Sequence, residues 1–467
     1  MNSAIDRQPP SLGLPENPLR VAIVGSGPSG FYAAEALLKL PLTISVDMIE
    51  RLPVPFGLVR HGVAPDHPKL KVPAMVFDKI AQSPGFRFFG NVTVGTDVSL
   101  EQLKATHHAV IFASGAESDR RLNIPGEDLP GSHTATAFVG WYNGHPDHRD
   151  AQFNLSGEVA VVIGQGNVAI DVARILSKPI DELRKTDIAA HALEVLAESR
   201  VREVHLIGRR GPAQAKFTNK ELRELGEIPG CSCAVSAADL TLNAASAVEL
   251  EDKANFVATK NVEILQPWAH DTSPDARGRR IVFHFLQAPV RIEGDSRVQR
   301  IVLERGRLSG EPFRQEAVGT GETSALSCDL VFRSIGYRGR PIPGVPFDES
   351  RGVIPNDAGR VVGSAGTYVA GWIKRGPSGI IGTNRADAVA TVQSLQADLS
   401  QIDPSPKPGA SGLFGTGKQP GATVVDYADW LRIDREEQRR GALADKPREK
   451  FTRVADMLAC AALRERP

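Results

Sequence analysis

Two short glycine turns, each set between an apolar strand run and a helical run, constrain this chain more than any other feature. Gly25-Ser-Gly27-Pro-Ser-Gly30 follows Leu19-Arg-Val-Ala-Ile-Val24 and opens a helical stretch from Ser29 to about Lys39. A second strand run, Ile44-Ser-Val-Asp-Met-Ile49, then ends at Glu50. Gly164-Gln-Gly166-Asn-Val-Ala169 repeats the plan between Glu158-Val-Ala-Val-Val-Ile163 and another helix, and Val204-His-Leu-Ile207 closes that unit. Strand, glycine turn, helix and parallel strand together make the βαβ unit that cradles a dinucleotide. Gly25 permits the tight turn and Gly27 lets backbone N–H groups approach a pyrophosphate. Gly30 lets helix and strand pack closely, and the helix N-terminus favours negative charge.

The two units differ where a ribose would be read. Glu50 ends the second strand of the first unit and can accept hydrogen bonds from both ribose hydroxyls. The matching strand of the second unit runs into Gly208-Arg209-Arg210. A carboxylate there would repel a 2′-phosphate, whereas guanidinium groups pair with it through charge-assisted hydrogen bonds. The first unit therefore reads as an FAD site and the second as an NADP(H) site. Hydride transfer between a stacked nicotinamide and isoalloxazine needs proximity and orientation more than an acid or a base.

The rest of the 467 residues narrows the class. Lys plus Arg and Asp plus Glu balance at 55 each, which argues against a general nucleic-acid binder but leaves room for a local basic patch. Cys231, Cys233, Cys328 and Cys460 have neither a disulfide framework nor zinc spacing, so no metal is expected and a reducing compartment fits. No apolar run is long enough to span a membrane. The first 18 residues, with Asp6, Glu16 and several prolines, read as a loose lead-in, and the expected location is cytoplasmic. A Pro/Gly-rich loop is expected from Pro53 to Pro73, and a helical insertion over about Ser177–Arg200. Alternating strands follow Ile281, with a helix from about Gly379 to Leu399, a linker over Asp403–Gly421, and charged helices at the end.

The chain resembles the adrenodoxin reductase-like family of NADPH–ferredoxin reductases over about residues 19–465. The resemblance rests on Val24-Gly-Ser-Gly-Pro-Ser-Gly-Phe-Tyr32, on Pro55-Phe-Gly-Leu-Val-Arg-His-Gly-Val-Ala-Pro-Asp-His-Pro-Lys69, and on Gly164-Gln-Gly-Asn-Val-Ala-Ile-Asp171. Gly208-Arg-Arg-Gly-Pro212 and Gly371-Trp-Ile-Lys-Arg-Gly-Pro-Ser-Gly-Ile-Ile-Gly-Thr383 complete it. It implies a flavoprotein oxidoreductase that passes electrons from NADPH through FAD to a ferredoxin-type iron–sulfur protein, or to a flavodoxin. The implied fold is α/β with two Rossmann-like domains: an FAD domain of residues 1–116 and 332–467, and an NADP domain, 117–331, inserted into it.

The resemblance also implies roles by residue. Ser29, Glu50, Leu58 and Val94 would contact FAD, with Leu58 at the pyrophosphate and Val94 meeting the adenine through its backbone. Trp372 would lie against the flavin, and Gly379, Ile380 and Ile381 would begin a helix aimed at the ring. Gln165, Gly166, Asn167 and Val168 would take the NADPH pyrophosphate, and Arg209 and Arg210 its 2′-phosphate. Glu221 would hold the nicotinamide amide, which Gly379 would also touch, and His67 would stand near the stacked rings. These last two are the candidate catalytic residues.

The chain departs from the mitochondrial members of that family in one respect. Those carry a dense basic segment for docking an acidic partner, while Ala234–Ala269 here has only Lys253 and Lys260. By composition, Arg200, Arg202, Lys216, Lys220 and Arg223 are the substitutes. Three other readings stand beside this one. A disulfide reductase needs a C-x-x-C dithiol, and Cys231-Ser-Cys233, expected in a loop, has the wrong spacing. The electron-input module of a glutamate synthase-like complex usually brings N-terminal cysteine clusters, which are absent. A nucleotide-binding protein without turnover is the third.

Overall fold

The computed structural model of the chain describes residues 11–269, 278–379, 381–414 and 423–463. The run Leu19–Val24 is apolar on both faces because both are covered. Leu19, Val21 and Ile23 enter one core cluster, and Ala22 and Val24 enter another on the opposite face. This strand is central in a seven-stranded sheet. Parallel strands run in the order Phe86–Gly90, Ile44–Glu50, Leu19–Val24, Ala109–Phe112 and Thr367–Val369, and antiparallel Arg360–Val361 and Asn356–Asp357 extend the far edge. The second glycine unit builds a six-stranded, all-parallel sheet in the same way. Its order is Ser132–Thr134, Leu330–Arg333, Val159–Ile163, Glu203–Ile207, Arg279–His284 and Cys231–Val235. Ala160 and Val162 face one cluster, Val161 and Ile163 the other. The antiparallel strands Gln287–Glu293, Arg300–Ser309 and Glu316–Ser327 form a third sheet, whose Ile292, Ile301 and Leu303 join the latter cluster. The expected α/β architecture with two parallel-sheet units is therefore present.

The chain passes between the two units along a two-stranded ribbon, Ser118–Asp119 against Tyr337–Arg338. A boundary between 331 and 332 would cut Leu330–Arg333, which lies whole in the second sheet. At the other end, helices Tyr427–Leu443 and Val454–Ala462 return to the first unit, where Trp430, Ile433 and Met457 join the core around Phe31, Phe56 and Phe77.

Local expectations fared unevenly. The insertion after Ser177 is helical but broken into Ile180–Arg184 and Ala190–Ala197. The Pro53–Pro73 loop contains a single helical turn, Leu58–His61, and a 3-10 turn, Pro68–Lys71. Cys231–Val235 is an edge strand rather than a loop, because its pairing with Arg279–His284 completes the sheet and buries Cys233. The expected linker lies partly outside the described residues, and its earlier part includes one helical turn, Ser411–Phe414.

Candidate functional site: two glycine cradles

The two glycine turns are built alike. Gly25 N–H donates to Ile49 O, and Gly164 N–H donates to Ile207 O. Both glycines have left-handed backbone, φ 105° and 143°, and a Cβ on either would strike the chain leaving the neighbouring strand. The clashes would be 2.6 Å from Ala113 O and 2.1 Å from Ser334 O. Only glycine fits both the backbone and the space. Gly30 is closed in similarly, its Cβ position lying 2.1 Å from Gly25 O. Gly27 and Gly166 are the reverse: nothing stands within 4 Å of where a Cβ would be. These are open concavities at the carboxyl ends of parallel strands, on the first turn of helices Pro28–Leu38 and Asn167–Ser177.

Around the first cradle, Glu50 is already engaged. Its Oε2 accepts from Ser26 N (3.0 Å) and Ser26 Oγ (2.7 Å), and its Oε1 from Leu52 N (3.1 Å). A carboxylate offers about four lone-pair sites, so capacity remains for a ribose. Buried Ser29 lies under the Gly371 turn, where a Cβ would come within 2.1 Å of its Oγ. Leu58, partly exposed, opens the turn after Gly57, whose Cβ position lies 2.9 Å from Gly27 Cα. Val94 bridges Val98 in a tight turn beyond the strand Phe86–Gly90. Trp372 stacks on Tyr337 of the crossing ribbon, with centroids 5.5 Å apart, and its Nε1 donates to Ser378 O at 3.2 Å. Gly379 has φ +82° and precedes helix Ile381–Ala397; Ile380 lies outside the described residues.

Around the second cradle, Gln165 lies over Gly208, where a Cβ would come within 1.7 Å of its amide carbon. Its buried Nε2 has no hydrogen-bond partner among the described residues. Asn167 Oδ1 accepts from Thr218 N at 2.8 Å and so ties the turn to helix Asn219–Gly226, while Val168 packs on the core. Arg209 is exposed and Arg210 half-buried, and neither has an ion-pair partner among the described residues. Glu221 is buried, and its Oε2 has no partner among the described residues. A buried carboxylate oxygen left unpaired is costly and marks a place for a donor.

One of the contacts between the halves is a dipeptide of the first-unit loop, beside others such as Lys71 and Lys450 on Asp187. Asp66, in the first-unit loop, accepts from Arg174 Nε (2.7 Å), Arg174 Nη2 (3.1 Å) and Lys178 Nζ (3.1 Å). Arg174 also holds Asp171 at 2.7 Å. Burial pushes the Asp66 carboxyl up, but Arg174 and Lys178 hold it well below the usual carboxylate range. Burial wins at Asp171, whose carboxyl is raised despite Arg174. His67 Nε2 then lies 2.7 Å from Glu224 Oε2, and Glu224 Oε1 is 3.3 Å from Lys220 Nζ. The structure thus brings His67 to the helix of Glu221 through a residue that sequence reasoning missed. Glu224 sits one turn beyond Glu221, a spacing that puts both on one helix face and could have flagged it. Asp66 and Asp171, also missed, lie inside strings already singled out.

The basic residues do not group as composition suggests, while the cysteine spacing agrees with the sequence reading. Arg200 and Arg202 precede strand Glu203–Ile207, so they sit at the end opposite Arg209 and Arg210, away from Lys216, Lys220 and Arg223. The five basic residues do not form one patch. Cys231 and Cys233, two apart on an extended strand, share a face but are separated by about 6–7 Å of rise, too far for a strain-free disulfide. Burial pushes the Cys231 thiol up to about 11, away from the thiolate that a reactive dithiol uses.

Known proteins match this geometry. The family model described as pyridine nucleotide-disulphide oxidoreductase matches residues 19–226. NADPH-ferredoxin reductase FprA of Mycobacterium tuberculosis is 48% identical over 457 residues, covering 94% of this chain and 98% of that one. Human mitochondrial NADPH:adrenodoxin oxidoreductase is 43% identical over 455 residues, covering 94% and 91%. The solved structure of Mycobacterium tuberculosis FprA in complex with NADPH superposes with a TM-score of 0.88 at 46% identity, covering 95% of this chain and 99% of that one. Likeness at this level over nearly the whole length places the chain in the adrenodoxin reductase-like family of NADPH–ferredoxin reductases.

Proposed function

We propose that this chain is a flavoprotein reductase that carries electrons from NADPH through FAD to a ferredoxin-type iron–sulfur protein. The observation that carries the reading is the pair of glycine cradles with opposite ribose chemistry, Glu50 against Arg209-Arg210, in two units that Asp66-His67 helps to join. The residues fit both cofactors: Gly27 and Gly166 leave open concavities, and Glu221 offers a buried oxygen with no partner among the described residues. On this reading Gly25, Gly27, Ser29, Gly30, Glu50, Leu58 and Val94 hold FAD, with Trp372, Gly379, Ile380 and Ile381 beside its ring. Gln165, Gly166, Asn167, Val168, Arg209 and Arg210 hold NADPH. The FAD unit comprises 1–116 and the return beyond Arg333, and the NADP unit lies between.

Bound FAD supplies the conversion between a hydride and single electrons. The chain's own residues bind and orient. Arg209 and Arg210 select the 2′-phosphate. Glu221 accepts from the nicotinamide amide and fixes the ring's rotation, while Gly379, lacking a side chain, leaves room for it. His67, pinned by Glu224, keeps the two units in register. None of these tasks requires a proton to move during hydride transfer. Lys216, Lys220 and Arg223 are exposed and follow the arginine turn in sequence, and they suit an acidic partner; a flavodoxin is the second candidate acceptor. Four free thiols suit a cytoplasmic setting.

The test is optical and anaerobic. The purified protein should be yellow, bleach rapidly with NADPH and slowly with NADH, and pass electrons to added ferredoxin. A colourless protein that binds no FAD, or one that bleaches without reducing any ferredoxin or flavodoxin, would contradict the reading.

A further inference from the structure

Phe313 lies in the hairpin joining strands Arg300–Ser309 and Glu316–Ser327. It is 60% exposed and has φ +64°. An exposed phenylalanine alone means little, but a bulky residue in the left-handed region is a genuine outlier that its surroundings must enforce. Here the enforcement is specific. Phe313 N–H donates to Glu249 Oε1 at 2.7 Å, and Glu249 is 3% exposed. The same carboxylate accepts from Gln315 Nε2 and from Gln214 Nε2, both at 2.8 Å. Gln214 ends the 3-10 turn Pro212–Gln214, which begins directly after Arg209-Arg210-Gly211. The hairpin also reaches that turn from the other side, since Leu308 Cδ1 lies 3.4 Å from the Cβ position of Gly211. One buried carboxylate therefore ties the arginine turn to the Phe313 loop, whose aromatic ring stands in solvent.

We infer that Phe313 is the stacking wall for the adenine of NADPH. The inference rests on the proposed reading of Arg209 and Arg210 as the 2′-phosphate ligands. In a 2′-phosphorylated adenosine the base and the phosphate share one ribose, so a phosphate on the arginine turn leaves the base within a single sugar of it. Every base presents a π-face, and an aromatic side chain with little rotamer entropy is the natural partner. The contacts through Glu249 keep the ring placed before the nucleotide arrives, which lowers the ordering cost of binding. The residue would thus contribute affinity for the adenosine half, while the arginines discriminate its phosphate.

The probe is adenosine 2′,5′-bisphosphate, titrated calorimetrically against the FAD-loaded protein. Phe313→Gly removes the ring and suits the left-handed backbone, so the loop is kept. It should weaken the probe about fivefold or more, the lower end for a base–aromatic stack. Phe313→Trp should retain affinity, and its emission should change on addition of the probe. Unchanged affinity in Phe313→Gly, or indifferent emission in Phe313→Trp, overturns the inference. A raised Michaelis constant for ferredoxin with unchanged probe affinity also overturns it, by making the ring part of a partner's dock. The paired variant Arg209→Ala with Arg210→Ala separates the levels. If it binds the probe like wild type, the phosphate reading fails and this inference with it. If it loses the probe while Phe313→Gly does not, only the inference fails.

Discussion

His67 Nε2 and Glu224 Oε2 stand 2.7 Å apart, and the bond joins a loop of the first unit to the helix that also carries Glu221. Asp66, the residue before His67, is bound by Arg174 on the helix that opens at Gly166. Two adjacent loop residues thus grip the two helices of the second unit that carry its proposed pyrophosphate and nicotinamide contacts.

Glu221 is the residue on that grip expected to matter for hydride transfer. Glu221→Ala should slow reduction of bound FAD by NADPH by roughly 100-fold, the scale of a lost alignment. Transfer from pre-reduced FAD to ferredoxin should be almost untouched. Rapid mixing follows the two half-reactions separately, and slowing confined to the second would assign Glu221 to the docking face.

Arg174 tests the grip itself. It is 1% exposed and pairs with both Asp66 and Asp171. Arg174→Met should destabilise the fold by about 3–5 kcal/mol, because it takes the guanidinium from largely buried Asp171 and leaves Asp66 with Lys178 alone. Adding Asp66→Asn should restore part of that loss in urea unfolding. Equal stability of the single and double variants would show that the pair is not coupled.

Cofactor choice should lie with the arginine pair. Each charge-assisted contact to phosphate is worth about 1.5–3 kcal/mol. Arg209→Ala with Arg210→Ala should therefore raise the NADPH Michaelis constant by at least tenfold and leave NADH use nearly as it was. Comparable loss with both nucleotides would mean that the arginines do not read the phosphate.

Glu50→Ala should lower FAD content at purification and raise the FAD dissociation constant. Part of that effect passes through Ser26, whose N–H and Oγ both donate to Glu50. Flavin fluorescence on dilution measures it. A dissociation constant equal to wild type would mean that Glu50 serves only its own turn.

Lys450 should give the chain a pH signature. It is 2% exposed, and Asp187, 3.1 Å away, is already neutralised by Lys71 at 2.6 Å. Burial, with Lys71 and Arg60 nearby, pushes Lys450 down to about 7 from 10.5. Between those values the folded chain binds fewer protons than the unfolded one, so this residue makes stability rise with pH. The stability difference between wild type and Lys450→Met should therefore shift in favour of wild type from pH 7 to pH 10. A constant difference would show that Lys450 keeps its ordinary basicity.

The glycine cradles were legible in the sequence because their determinants are local. Turn, helix start and strand end lie within one unit, and each glycine answers a constraint set by the backbone itself. Glu221 was singled out only through the family resemblance, and the structure adds that it is buried. Glu224 was not legible, since its partner lies 157 residues away and neither residue alone differs from a surface charge or a turn histidine. Arg174 and Asp66, 108 residues apart, were hidden for the same reason. The Cys231 segment misled because Pro229-Gly230 signals a turn, whereas pairing with Arg279–His284 made the following residues a strand. The basic residues failed as a group because sequence proximity places Arg202 near Arg209, and a strand then holds them at opposite ends.

The glycines at Gly25 and Gly164 press against Ala113 and Ser334, the residues at which the chain sets out for the other unit and comes back. Each doorway between the domains is therefore also the back wall of a nucleotide cradle. Lifting out the second unit by cutting at these passages would strip the backing from both cradles at once. A severed first unit should bind flavin poorly even with every flavin-contacting side chain in place. Transplanting the second unit into another scaffold would have to carry the doorway along with it.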